Sequence, residues 1–317
     1  MHRPAILSLG SINADLQFDI KQPLGEGGTV RAGGFAQRAG GKAANVAYFT
    51  HRLGIPTRLL GRVGDDYFAE VALNPLRQAG LELKQVGVAP GSLTGIAIVA
   101  VPEGGEKTIL SASNANVAWD AGAIENVTAS INRAPDHSIL VADFEVSPRV
   151  LEAAFGAAEA RGFKIVIDPT FADRIDMEQL GRFHAIAPNE QEAADLIGAE
   201  IRDSNDAARA ALRLNSLGVE ISCVKLANGG CILSHRQKET RIPAPPVKAI
   251  DKTGAGDAFV AALAVALLEG RSAQEAACWG VAAASISVQR KGAQESYPSR
   301  AELDRMIVSV LRGAGVS

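Results

Sequence analysis

The chain has 317 residues, 47% of them apolar and 21% charged, with a formal net charge of −3. That balance is ordinary for a folded globular protein and excludes a disordered chain, while the lack of any basic stripe argues against nucleic-acid binding. Three unpatterned cysteines (Cys223, Cys231 and Cys278) without a C-x-x-C pair exclude a disulfide framework or zinc ribbon and point to a reducing, cytoplasmic setting.

In chain order, the first apolar run is residues 5–9. It is too short for a signal-peptide core or a membrane span and reads as a strand, so no membrane association is expected. Further runs of strand character lie at 58–60, 139–142, 164–167 and 222–226. Helical patterns fall between them at 43–53, 148–161, 190–197 and 207–217, and three more, at 258–268, 272–288 and 300–311, close the chain. Strands spaced by helices predict a mostly parallel sheet covered on both faces. Two stretches break the rhythm. Residues 29–35 and 95–111 read as extended, the second split by the turn Pro102-Glu103-Gly104-Gly105-Glu106. The expectation is one α/β domain over residues 1–317, with a small β lid formed by about 16–36 and 93–112.

The common nucleotide signatures fail. Lys42 and Lys252 both lack the context of a G-x-x-x-x-G-K-[ST] loop, and Gly254-x-Gly256 is followed by Phe259 where a dinucleotide fingerprint needs a small residue. A different feature carries chemistry. Thr253-Gly254-Ala255-Gly256-Asp257 leads into an Ala/Leu/Val helix, and small residues there leave backbone N–H groups open to an anion. Such donors suit phosphoryl transfer. The helix field would keep Asp257 ionised, and a carboxylate beside an anion site can take a proton from a substrate hydroxyl. A plain glycine turn with an acidic first-turn residue is the competing reading.

Two earlier segments share that ambiguity. Gly40-Gly41-Lys42-Ala43-Ala44-Asn45 stands at another helix start, where Lys42 and Asn45 would face the same way. Gly10-Ser11-Ile12-Asn13-Ala14-Asp15 follows the first strand, where ligands of open α/β sheets bind. Period-two spacing would aim Asn13 and Asp15 to one side, which suits diol recognition.

Together these segments resemble the PfkB, or ribokinase-like, family of carbohydrate kinases, from about Leu7 to Pro298. The first signature of that family is similar to Gly40–Asn45 with Gly54 and Gly64, and the second to Gly254–Asp257. Gly10–Asp15 and the run Arg290-Lys291-Gly292-Ala293-Gln294 are ribokinase-like. The resemblance implies a three-layer α/β sandwich and ATP-dependent phosphorylation of a sugar, with ribose favoured. It implies that Asn13, Asp15, Gly40, Gly41, Lys42, Asn45 and Glu145 contact the sugar, with Asp257 as base beside the Gly254-Ala255-Gly256 turn. Asn189, Lys225, Ala227 and Gly230 would line the nucleotide, together with the glycine turn, and Glu192 would hold magnesium through water. Asp251, Thr253, Gly292 and Ser296 match the positions around a monovalent cation, potassium. A homodimer joined through the lid is also implied, in keeping with the apolar runs 95–101 and 109–110.

Three departures stand out. Lys252 replaces a small or hydroxyl residue, Lys225 and Ala227 break the T-x-G-x-x-G pattern, and Asp168-Pro169 is similar to members acting on other sugars. A kinase for fructose, ketodeoxygluconate or adenosine, or a degenerate sugar sensor, are the alternatives. A lid without tryptophan or tyrosine disfavours a nucleoside. A sugar-phosphate substrate would need arginines such as Arg31, Arg38 or Arg133 near the cleft.

Overall fold

The computed structural model describes residues 3–21, 29–102 and 108–315. The expected turn at 103–106 lies outside them. The amino-terminal half runs β1 (Ile6–Leu9), β2 (Asn13–Ile20), β3 (Ala32–Gly40), α1 (Lys42–Arg52), β4 (Thr57–Gly64) and α2 (Tyr67–Gln78). Then come β5 (Val86–Ala89), β6 (Gly95–Pro102), β7 (Thr108–Ala112), α3 (Ala121–Asn132), β8 (Ile139–Asp143) and α4 (Pro148–Ala160). The remainder is β9 (Lys164–Asp168), β10 (Ala185–Ile186), α5 (Glu190–Ile197), α6 (Ser204–Ser216), β11 (Ile221–Lys225), β12 (Cys231–His235) and β13 (Lys238–Ile242). Three helices end the chain: α7 (Ala255–Leu268), α8 (Ala273–Ser287) and α9 (Arg300–Gly313).

Among the described residues, nine strands form the main sheet in the order β13-β12-β11-β10-β9-β8-β1-β4-β5. From β5 to β11 every neighbour is parallel, and only β12 and β13 run antiparallel. The central strands are buried on both faces, which is why they read as unbroken apolar runs. Alternation splits their side chains between two cores. Ile6 joins α1, α7, α8 and α9, while its neighbour Leu7 joins α3, α4, α5 and α6 on the opposite face.

A second sheet, β3-β2-β6-β7, leaves the frame directly after β1. Residues 13–15, which carry the period-two spacing, are the first residues of β2, which pairs antiparallel with β3 and parallel with β6. The hairpin expected across 95–111 forms as β6 and β7. Sequence patterns gave no sign of α2, α3 or the β12–β13 hairpin.

Helix starts differ in their caps, and Ser147 before α4 makes no side-chain bond. Asp66, Asp120, Asn189, Asp203, Ser272 and Ser299 cap α2, α3, α5, α6, α8 and α9 with side-chain bonds. The caps of α1 and α7 are glycines, Gly41 (φ 89°) and Gly254 (φ 71°), with no side-chain bond. At α1, Lys42 N donates to Ser11 Oγ and Ala44 N to Ser11 O, and at α7, Ala255 N donates to Lys252 O.

Candidate active site

The carboxyl end of β1 turns into β2 through Gly10, whose missing side chain leaves room for Asp143. Asp143 Oδ2 accepts from Ser11 N (3.0 Å), and Ser11 Oγ accepts from Lys42 N (2.9 Å). Asn116 clamps the next residues by accepting from Ile12 N (3.0 Å) and donating to Asn13 Oδ1 (2.7 Å). Gly41 passes so close to this strand that a Cβ would stand 2.5 Å from Ser11 O and 2.7 Å from Asn13 N. At Gly40 a Cβ would run into the Asp15 carboxylate. The glycine pair is therefore required by close packing, and it sets Asn13, Asp15 and the start of α1 side by side.

Lys42 and Asn45 project from the first turn of α1 to the first turn of α7. Lys42 Nζ lies 3.2 Å from Asp168 Oδ2 and 3.5 Å from Asp257 Oδ1. Asn45 Nδ2 donates to Asp257 Oδ2 (2.7 Å), and Gln294 Nε2 donates to Asn45 Oδ1 (3.1 Å). Asp257 is 6% exposed. Burial, with the charge of Asp168 adding to it, pushes the Asp257 carboxyl above its ordinary range against the pull of Lys42 and the Asn45 bond. Burial thus works against the helix field that was expected to keep Asp257 ionised. Burial also penalises Asp168, but Lys42 and Lys225 outweigh it and draw that carboxyl below its usual range. For Lys42, burial opposes the charge, yet Asp168, Asp257, Glu145 and Glu192 outweigh it and hold the ammonium pKa well above normal. Glu145 is half-buried just past β8, its N–H donating to Asp143 Oδ1 (2.9 Å). Burial and the Glu145 charge push Asp143 well up.

Beyond Lys42 and Glu192 a cavity of about 760 Å³ opens between α7, α8 and the loops after β11 and β13. Asn189, Lys225, Ala227, Gly230, Ala255 and Gly256 all line it. Lys225 reaches the α7 start, since a Cβ on Gly256 would lie 3.4 Å from its Nζ. Asn189 and Glu192 form a capping box on α5, with each backbone N–H donating to the other's side chain (2.8 Å). Lys252 crosses the cavity mouth and donates from Nζ to Ala227 O (3.3 Å). Gly254 cannot carry a Cβ, which would stand 2.7 Å from the Tyr297 hydroxyl; that hydroxyl donates to Gly254 O (3.2 Å).

Asp251 joins the loop before α7 to the loop after α8. Its Oδ1 accepts from Thr253 N (2.9 Å) and Thr253 Oγ1 (2.7 Å), and its Oδ2 accepts from Gly292 N (2.9 Å). Ser296 is buried nearby, its hydroxyl donating to Ala293 O (2.6 Å) and lying 2.7 Å from Ser287 Oγ. Of the three arginines considered for a sugar phosphate, Arg38 in β3 pairs with Glu295 (2.7 Å), Arg133 ends α3 and Arg31 is exposed. Among the described residues no cluster of three or more His, Cys, Asp or Glu could hold a metal by itself. A divalent ion here would need oxygens from a ligand or water.

Sequence reasoning missed the roles of Asn116, Asp143, Gln294 and Tyr297 in assembling this site, and it read Asp168 only as a mark of sugar preference. One signal existed for the two aspartates. Asp143 and Asp168 are in register at the carboxyl ends of adjacent parallel strands, where such sheets bind ligands.

Residues 3–300 match the family described as pfkB family carbohydrate kinase. The chain belongs to that family. It is 33% identical over 300 residues to a ribokinase of Haemophilus influenzae, covering 95% of this chain and 97% of that protein. It is 30% identical over 296 residues to a deoxyribokinase of Salmonella typhimurium, covering 93% and 95%. The structure of Arabidopsis thaliana ribokinase complexed with ribose and ATP superposes with a TM-score of 0.84 at 30% identity, covering 96% of this chain and 99% of that one. The pfkB fold, a mostly parallel sheet between helices with a small second sheet, is thus the fold of this carbohydrate kinase.

Proposed function

We propose that this kinase transfers the γ-phosphate of ATP to the primary hydroxyl of ribose, giving ribose 5-phosphate and ADP, with Asp257 as general base. The observation that carries the reading is the position of Asp257. It is buried in the first turn of a glycine-capped helix, with Asn45 and Lys42 on its carboxylate and the cavity at Gly256 beside it. Likeness to ribokinases supports the choice of ribose and ATP.

In this reading Asn13, Asp15, Gly41, Lys42, Asn45 and Glu145 hold the sugar so that its hydroxyl meets Asp257. Asp257 takes the hydroxyl proton as the sugar oxygen bonds to the γ-phosphorus. The bond from that phosphorus to the bridging oxygen breaks, and its electrons leave with ADP. The N–H groups of Gly256 and Asp257, with Lys225 beside them, balance the charge gathered on the moving group. Lys42 stabilises the ionised base until the proton arrives. Glu192 and Asn189 line the same cavity, where magnesium would neutralise phosphate charge through waters. Potassium would order the loops already joined by Asp251, Thr253 and Gly292, with Ser296 adjacent.

The second reading is a kinase of 2-deoxyribose or another sugar. It is favoured by Asp168 on Lys42 and by the comparable identity to a deoxyribokinase. ADP release with ribose, deoxyribose, fructose, ketodeoxygluconate and adenosine separates the two. Ribose should give the highest kcat/KM, and turnover of deoxyribose alone would reject the first reading. A cytoplasmic homodimer joined through the second sheet completes the proposal, supported by exposed Phe35 (56%), Ile109 (52%) and Leu110 (67%) on that sheet. A monomeric mass in light scattering at micromolar concentration would contradict it.

A further inference from the structure

Gln294 lies in the loop that follows α8, 249 residues from the asparagine it touches, and is only 4% exposed. The direction of the bonds in this chain is fixed by chemistry. An ionised Asp257 only accepts, so the Asn45 amide must present its NH2 group to it. The Asn45 carbonyl then faces Gln294, which must present its own NH2 group in turn. Gln294 Oε1, by contrast, is buried without a hydrogen-bond partner among the described residues. A buried acceptor left unmatched costs stability, and a hydrophobic side chain of similar size would remove that cost. The bond from Gln294 Nε2 to Asn45 Oδ1 is the side-chain hydrogen bond that Gln294 makes among the described residues.

We propose that Gln294 is a positioning residue that fixes the Asn45 amide so that it donates to the Asp257 carboxylate. Without it, Asn45 is free to turn over and offer its carbonyl oxygen to the carboxylate, which favours the protonated acid. Gln294 therefore acts on the base through Asn45 and without contact to the phosphate. The other groups facing Asp257 are Lys42 from α1, Asp168 from β9, Lys225 from β11 and the Tyr297 hydroxyl. Lys42 and Lys225 favour the ionised form, whereas Asp168 opposes it. None of them selects the rotamer of Asn45.

The inference rests on the reading of Asp257 as base, and the experiment separates the two. The pH dependence of kcat/KM for ribose is measured at saturating ATP in the wild type, Gln294→Met and Gln294→Leu, with Asp257→Asn as reference. Both replacements remove the Gln294 NH2 group without adding a charge that would itself raise Asp257. The acid limb should move up in both by about one pH unit, the scale of one hydrogen bond to a charged group. Lower expression or melting temperature with an unmoved acid limb in Gln294→Met would show a purely structural role and overturn the proposal. If Gln294→Leu fails to fold, the unbranched Met variant decides alone. Undiminished turnover in Asp257→Asn would instead reject the base itself.

Discussion

Replacing Lys42 by methionine keeps the length of the side chain and removes its charge from between two buried carboxylates. Asp168 is 2% exposed and Asp257 6%, and Lys42 Nζ stands 3.2 and 3.5 Å from their oxygens. Removing one partner of a buried ion pair costs about 3–5 kcal/mol, and the lower end, about 3 kcal/mol, applies because part of the lysine is in water. The loss should depend on pH. In the wild type Asp168 titrates below its unfolded value, so its contribution is present above that value and disappears as pH falls through the folded pKa. In Lys42→Met the depression is gone, and each unpaired carboxylate escapes its burial by taking a proton as the pH drops. Urea unfolding followed by Trp119 and Trp279 fluorescence at about pH 7.5 and about pH 5 measures both effects. The variant should lose most stability at the higher pH and recover part of it at the lower. Equal midpoints for variant and wild type at both pH values would refute the electrostatic account of this cluster.

Gly41→Ala should unfold far more readily than Gly54→Ala. Both positions have positive φ, which costs about 1–3 kcal/mol, but only Gly41 also drives a Cβ against Ser11 O, so equal melting temperatures would contradict the packing argument. Because burial lifts the Asp257 pKa above 3.8, kcat/KM should be lost as pH falls through a midpoint higher than that value. The same lift means that ionisation weakens folding as pH rises through this range, so Asp257→Asn should be at least as stable as the wild type near neutrality, as a thermal melt would show. Lys225→Ala should raise the KM for ATP about tenfold, the scale of one charge-assisted bond, with little change in the KM for ribose. The reverse pattern would move Lys225 out of the nucleotide site.

The two glycine-led helix starts were legible because small residues and a polar side chain at a helix start form a local pattern. The period of two that relates Asn13 and Asp15 belongs to the strand β2. The residues that complete the site were not legible, because Asn116, Asp143, Asp168 and Gln294 meet Ile12, Asn13, Ser11, Lys42 and Asn45 across more than a hundred residues of chain. No spacing encodes such meetings. The β12–β13 hairpin was silent for a different reason. Its turn holds Arg236 and Gln237 at φ of 53° and 59°, where Asn-Gly would normally announce a left-handed pair. Helix α2 carries Pro75 within it, which reads from sequence as a break.

The most direct test of the central claim is a rapid-quench measurement of ribose 5-phosphate formation from ribose and ATP by wild type and Asp257→Asn, with ATP affinity measured on the same samples. The account predicts that the variant binds ATP as the wild type does while its chemical step slows by about 10²–10⁴-fold, the range of general-base catalysis. Product formed at the wild-type rate by Asp257→Asn would contradict it.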